Sequence, residues 1–175
     1  MYKKVFILIS VFLLLLIVGT FFIPYKQKFT ISKEINFSED RIYQQVSNIS
    51  SWKNWFYWLK LDKDAQIEFK TTANKNTIYT WVSTEPNVGE GILRINKNSG
   101  TQDFELFFGS TEWGIHNTSI EIEEKGANNA QVTIKVERKT KNYMEKVATF
   151  LFFYTKIKPA YKKSLSDLEI YLSKG

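Results

Sequence analysis

NTSIEIEEKGANNAQVTIKVERK, residues 117–139, carries two alternations around one turn. Ile120 and Ile122 in the first run, then Val132, Ile134 and Val136 in the second, point one way. Glu121, Glu123, Lys135 and Glu137 point the other. A period of two with one apolar and one charged face marks a half-buried antiparallel strand, and a slip of one residue would reverse both faces. Between the runs, Gly126 to Asn129 supplies residues that accept left-handed backbone angles, so the pair reads as a hairpin over 117–124 and 130–139.

On the C-terminal side the period changes. Met144, Val147, Ala148, Leu151, Tyr154, Tyr161, Leu165, Leu168 and Leu172 recur at threes, fours and sevens, the spacing of a long amphipathic helix. Pro159 lies inside it and removes one backbone donor, which predicts a kink or break near residues 155–159. On the N-terminal side, further strands are predicted over 66–72, 77–84, 91–96 and 102–108, with turns at Asn74-Lys75-Asn76 and Asn96 to Gly100. Earlier still, residues 29–35 alternate as a first strand. Ser38 is a suitable N-cap for a helix over 39–47 with Ile42, Tyr43 and Val46 on one face, and Ile49 to Trp58 reads as a second, tryptophan-rich helical turn.

The order is therefore a strand, two short helices, six antiparallel strands and a long final helix, an α+β helix-grip arrangement. With that order, ISSWKNWFYW (49–58), Tyr79-Thr80-Trp81, Gly89-Glu90-Gly91 and KPAYKKSL (158–165) make the chain resemble the START-like superfamily, also called SRPBCC. The resemblance covers nearly the whole chain and is closest to membrane-anchored bacterial members labelled polyketide cyclase/dehydrase or lipid-transport proteins. It implies a curved sheet of about seven strands gripping the C-terminal helix, with a hydrophobic cavity between them for a lipid, polyketide or other apolar molecule. Whether that space is open or filled depends on the bulky aromatics at inward positions.

Before this domain runs VFILISVFLLLLIVGTFFI, Val5 to Ile23, without a charge. At 1.5 Å per residue about 19 residues just cross a hydrocarbon core of ~30 Å. A cleaved signal peptide also starts with basic residues such as Lys3 and Lys4. Here the apolar run exceeds a usual signal core and no small-x-small cleavage pattern follows, so the sequence predicts an uncleaved anchor. The expected organisation is a single-pass anchor over 1–24, in contact with lipid bilayer through residues 5–23, and one domain over 25–175. Pro24 is expected to end the helix, with Tyr25, Lys26 and Lys28 as an interfacial collar. Lys3 and Lys4 on one side compete with Lys26, Lys28 and Lys33 on the other, so the sequence sets no orientation.

The chain has 24 Lys and Arg against 18 Asp and Glu, and without Lys3 and Lys4 the remainder carries a net +4. This mild excess suits anionic headgroups. Lys135, Arg138, Lys139 and Lys141 read as a solvated strand end, so no nucleic-acid partner is expected. Absence of cysteine excludes disulfides, thiolate catalysis and Cys-ligated metal, and a single histidine excludes a two-His zinc motif, so neither metal nor cofactor is expected. Five Trp, nine Tyr and fourteen Phe in 175 residues predict a sizeable core.

Candidate ligand-lining residues are Trp58, Trp81, Phe104, Trp113, Phe150 and Tyr154. If helical, Trp52, Trp55 and Trp58 share a face; core packing is the plainer account of them, a cavity mouth or membrane contact the other. Glu90 and His116 are the polar candidates. Gly89-Glu90-Gly91 lacks the further Gly and Lys of a phosphate loop and reads as a turn or bulge with Glu90 facing solvent. As a general base His116 would need a carboxylate such as Glu112 or Asp103, and the plainer account is a loop histidine. No nucleophile elbow or carboxylate pair points to catalysis. The leading reading is a membrane-anchored binder of a hydrophobic small molecule or lipid. The alternatives are a cyclase- or hydrolase-type enzyme and a protein-interaction module with a packed interior.

Overall fold

The computed structural model describes residues 2–71, 77–97, 104–110 and 114–174, with side chains for all of these except 71, 77, 95–97 and 104–107. The first helix, α1, is Tyr2–Phe21 and buries none of its residues. Among the described residues it is the one helix long and apolar enough to cross a membrane. Its last turn tightens through Phe22 N–H to the Gly19 carbonyl and Ile23 N–H to the Thr20 carbonyl, so the helix ends before Pro24 is reached.

Strand β1 (Lys26–Ile35) follows directly, alternating exposed and buried positions along most of its length. The expected collar lysines therefore belong to a strand, and Lys26 pairs with Glu137 at 2.7 Å. Helix α2 is Glu39–Ser47, with Ser38 at its N-cap but making no side-chain capping bond. The predicted second helical turn is broken in three: a 3₁₀ turn at Ile49–Ser51, α3 at Trp52–Trp55 and α4 at Tyr57–Leu61. Phe56 causes the last break, because its ψ of 118° is extended. Trp58 thus sits on a different helix from Trp52 and Trp55, yet all three are buried.

Six strands then run as a meander, β2 (Gln66–Thr71), β3 (Thr77–Val82), β4 (Glu90–Lys97), β5 (Phe104–Ser110), β6 (Gly114–Gly126) and β7 (Asn129–Lys139). The seven-stranded sheet is antiparallel throughout, in the order β1-β7-β6-β5-β4-β3-β2. The hairpin at 117–139 has the expected facing: Ile120, Ile122, Val132, Ile134 and Val136 are all buried. Its register shifts between Glu124 and Gly126, a bulge next to the turn. The turn predicted at 74–76 lies outside the described residues, as do residues 98–100 of the turn predicted at 96–100, whose first two residues instead end β4.

The C-terminal helix divides where Pro159 requires it. α5 is Tyr143–Phe152, Phe153–Ile157 form a π turn, and α6 is Lys158–Leu172. Proline offers no N–H to the carbonyl four residues back, and a π turn is one way for the backbone to absorb that loss. Helix α6 lies on α3, α4 and β1, and the core fills the space between it and the sheet.

Candidate functional site

Inward positions of β6 are His116, Thr118, Ile120 and Ile122. Ile120 and Ile122 are the expected residues; Thr118 and His116 add polar groups to the inward face. His116 lies in a strand rather than the anticipated loop and is 2% exposed. Its cross-strand partner on β5 is Phe108, and the two rings stack with centroids 4.8 Å apart and planes 25° from parallel. Trp58 closes a second side at 6.4 Å, and Phe153 of the π turn a third at 6.4 Å.

Tyr161 reaches this position from α6. Its hydroxyl is 2.9 Å from His116 Nε2 and 2.8 Å from Thr118 Oγ1. The hydroxyl donates one hydrogen, so if it gives that hydrogen to one neighbour it accepts from the other. The Tyr161 ring packs on Trp58 at 4.9 Å, Phe56 at 5.8 Å and Phe29 at 6.1 Å. Burial holds the Tyr161 hydroxyl above its usual pKa, with the Thr118 bond opposing, so it stays protonated.

Burial also lowers the His116 pKa to about 3, helped by the charge of Arg138. The ring is therefore neutral at physiological pH. His116 Nδ1 is buried and has no hydrogen-bond partner among the described residues. Arg138 sits over Gly114: a Cβ there would lie 2.1 Å from the guanidinium, and Gly114 has φ +68°. The other end of the cation faces Glu145 at 3.6 Å.

The remaining candidates are spread over the molecule. Trp81 is buried, donates from Nε1 to the Val88 carbonyl at 3.4 Å, and lies 5.5 Å from Phe108, so it belongs to the same aromatic interior. Glu90 is exposed at the start of β4, on the face opposite His116. Phe150 and Tyr154 lie on the outer side of the C-terminal helix, 38% and 37% exposed, and Tyr154 donates to the Lys28 carbonyl of edge strand β1 at 3.0 Å. The side chain of Phe104, and Trp113, Glu112 and Asp103 as a whole, lie outside the described residues. Sequence reasoning missed Tyr161, Thr118 and Phe153 as members of one cluster. A tyrosine on an apolar helical stripe must find a partner for its hydroxyl, and Thr118 shares the parity of Ile120; those two signals point at each other.

An open cleft of about 400 Å³ adjoins this cluster, lined by Tyr57, Leu61, Asn87, Pro159, Ala160 and Lys163 among others. Tyr57, whose ring centroid lies 6.2 Å from that of Trp58, links the cleft to the aromatic interior, and Thr155 and Lys156 place it beside the π turn. Such turns are frequent at functional sites.

A seven-stranded antiparallel sheet closed by a C-terminal helix, with an aromatic interior and a small buried polar cluster, defines the helix-grip class. No protein-family model matches the sequence, and no curated protein is detectably similar to it. Among solved structures, the chain is similar to the ZhuI aromatase/cyclase from Streptomyces sp. R1128, with a TM-score of 0.66 and 6% identity over 85% of this chain and 94% of that one. Norcoclaurine synthase from Thalictrum flavum, in complex with dopamine and hydroxybenzaldehyde, gives 0.64 and 12% over 85% and 87%. A Bacillus thuringiensis protein gives 0.55 and 14% over 83% and 98%. The aromatase/cyclase and the synthase have the SRPBCC, Bet v1-like fold, and the chain shares it.

Proposed function

We propose that this protein is a membrane-anchored helix-grip domain that binds a small apolar molecule carrying one hydrogen-bonding group. Residues 5–23 hold it in the bilayer. The ligand enters at the cleft beside the π turn and reaches Trp58, Phe108 and Tyr161 as the side chains that fill the interior move aside. The observation that carries this reading is the His116–Tyr161–Thr118 chain, a polar cluster buried among aromatic rings with His116 Nδ1 unpaired among the described residues. A buried polar atom without a partner is costly, and a ligand group that pairs with it would gain a directional bond on top of apolar burial at about 25 cal/mol per Å². Norcoclaurine synthase, solved with two small aromatic molecules, supports the class of guest.

The enzyme reading is weaker for a stated reason. A general base works best with a pKa near the operating pH, and His116 lies far below it. In this environment it is a hydrogen-bonding group.

Native mass spectrometry of the detergent-solubilised chain, with organic extraction of copurified molecules, tests the proposal. A stoichiometric apolar adduct that weakens in Thr118→Leu and His116→Phe is expected. An empty protein that also takes up no fluorescent fatty acid or aromatic amine would sink it and favour a packed interaction module.

A further inference from the structure

Helix α5 is built inside out. Its buried residues are Lys146 and Thr149, while Met144 is 74% exposed, Leu151 60% and Phe150 38%. An amphipathic helix on a water-facing domain turns its apolar stripe inward. Here the protein side is polar: Gln27, 1% exposed on β1, donates from Nε2 to the Lys146 carbonyl at 2.9 Å. An exposed apolar patch of this kind marks an interaction surface.

The partner is indicated by what α5 touches. Tyr143, its first residue, bonds through its hydroxyl to Thr20 of α1, and its ring lies 5.3 Å from that of Phe21. Lys146 Nζ lies 3.4 Å from the Phe21 carbonyl at the C-terminal end of α1, 4.8 Å from the centroid of Tyr25 and 5.2 Å from that of Tyr143. A cation there complements the negative end of the α1 dipole. The start of α5 is thereby pinned to the last turn of the apolar helix. Exposed Lys139 and Lys141 precede α5, and exposed Lys156 follows it.

We infer that α5 is a second membrane contact: its face of Met144, Phe150 and Leu151 lies in the headgroup–acyl boundary of the bilayer that α1 crosses. The inference rests on the reading of residues 5–23 as a spanning segment. If α1 crosses the membrane, its C-terminal end lies at the interface, and a helix tied to that end lies at the same level. Interfacial helices sink their apolar face ~5–10 Å into that boundary with cations beside it, as the flanking lysines allow. Domain orientation follows. The Lys26 and Lys139 end of the paired strands β1 and β7 faces lipid, and the turn at 127–128 points away. β7 has 11 residues, which at ~3.3 Å each places that turn roughly 35 Å from the surface.

The chain has no cysteine, so single substitutions can be labelled uniquely. Met144→Cys, Leu151→Cys and Asn128→Cys, each carrying an environment-sensitive fluorophore, would be compared after reconstitution of the full chain in vesicles of phosphatidylcholine and phosphatidylglycerol in equal parts. Expected are a blue shift and a several-fold gain in emission at 144 and 151, quenched by nitroxide lipids, with an aqueous, unquenched spectrum at 128. Alkaline extraction of the same vesicles separates two failures. If the chain resists extraction while 144 and 151 report water, this inference falls and the anchor stands. If the chain is released, the anchor reading falls and takes this one with it. Apolar emission at 144 and 151 without nitroxide quenching would overturn the lipid assignment in favour of a second protein surface.

Discussion

The hydroxyl of Tyr161 on α6 lies 2.9 Å from Nε2 of His116 on β6, bridging the two layers of the domain across a separation of 45 residues. The same oxygen meets Thr118 at 2.8 Å. Removing it in Tyr161→Phe leaves two buried polar side chains short of a partner while keeping the ring packing. Such a change costs about 1–3 kcal/mol. Urea denaturation of the chain in detergent is expected to show that loss. Thr118→Val combined with Tyr161→Phe should cost less than the sum of the two single changes, because the second removes a group already stranded. Additive costs would mean that the three residues do not act as a unit.

Stability should fall with acid in a window set by His116. Its pKa in the folded protein is depressed to about 3 from an ordinary 6.5, so the folded state refuses a proton that the unfolded state accepts. The stabilisation is therefore complete above the unfolded value and is lost as pH falls below it toward about 3, with a limiting slope of about 1.4 kcal/mol per pH unit. His116 is the only histidine, and between pH 5 and 6 most carboxylates remain ionised. The slope measured there by urea midpoints should flatten by close to one proton in His116→Gln. Equal slopes in the two proteins would show that the imidazole is not held neutral.

Two glycines are fixed by neighbours rather than by turn chemistry alone. At Gly91, opposite Trp81 in the sheet, an added Cβ would meet the indole ring at 2.2 Å and the Gly109 carbonyl at 2.5 Å. The ring is buried and the carbonyl is backbone, so neither yields cheaply. Gly91→Ala is expected to destabilise by about 1–3 kcal/mol or more, the range for overpacking. Gly114→Ala strains a left-handed backbone and pushes Arg138 aside; because that cation helps to depress the His116 pKa, the variant should shift the acid transition as well as the midpoint. Thermal melts at pH 5 and pH 7 separate the effects: Gly91→Ala lowers both melting temperatures together, whereas Gly114→Ala changes the gap between them.

Much of the fold was legible because its signals are local. The alternation at 117–139 set two strands and their facing, and Pro159 located the break in the last helix to within a few residues. The Ile49 to Trp58 stretch was misread because nothing local announces that Phe56 turns extended; packing of its ring against Trp52, Trp58 and Tyr161 favours that geometry. Placing Phe150 and Tyr154 on a cavity requires the apolar stripe of the C-terminal helix to face the sheet along its whole length. The stripe changes sides at the π turn: Leu165, Leu168 and Leu172 turn inward, while Met144 and Leu151 turn outward. A period shows that a helix has an apolar face. It does not show which medium covers that face. His116 reads as a loop residue because the alternation is clear only from residue 117, whereas the strand starts at Gly114, a glycine with a left-handed φ.

Whether the interior accepts a guest can be tested by making room beside His116. Trp58 is 1% exposed, with ring centroids 5.0 Å from Phe56, 5.1 Å from Phe108 and 4.9 Å from Tyr161. Trp58→Ala removes an indole from an aromatic box and should cost about 3–5 kcal/mol, from lost burial and the cavity left behind. Trp58→Leu is the milder form if the alanine variant does not accumulate. Free indole has the shape of what was removed, and a ligand that binds only the folded state raises stability by RT ln(1 + [L]/Kd). The melting temperature of the variant is therefore expected to climb more steeply with indole concentration than that of the wild-type chain, in which Trp58 already fills that space. A guest with a hydrogen-bond donor should outperform naphthalene, of similar size but without one, if His116 Nδ1 or the Tyr161 hydroxyl takes part. A variant indifferent to both compounds would mean that the box collapses when emptied, and the interior would then be a core rather than a binding site.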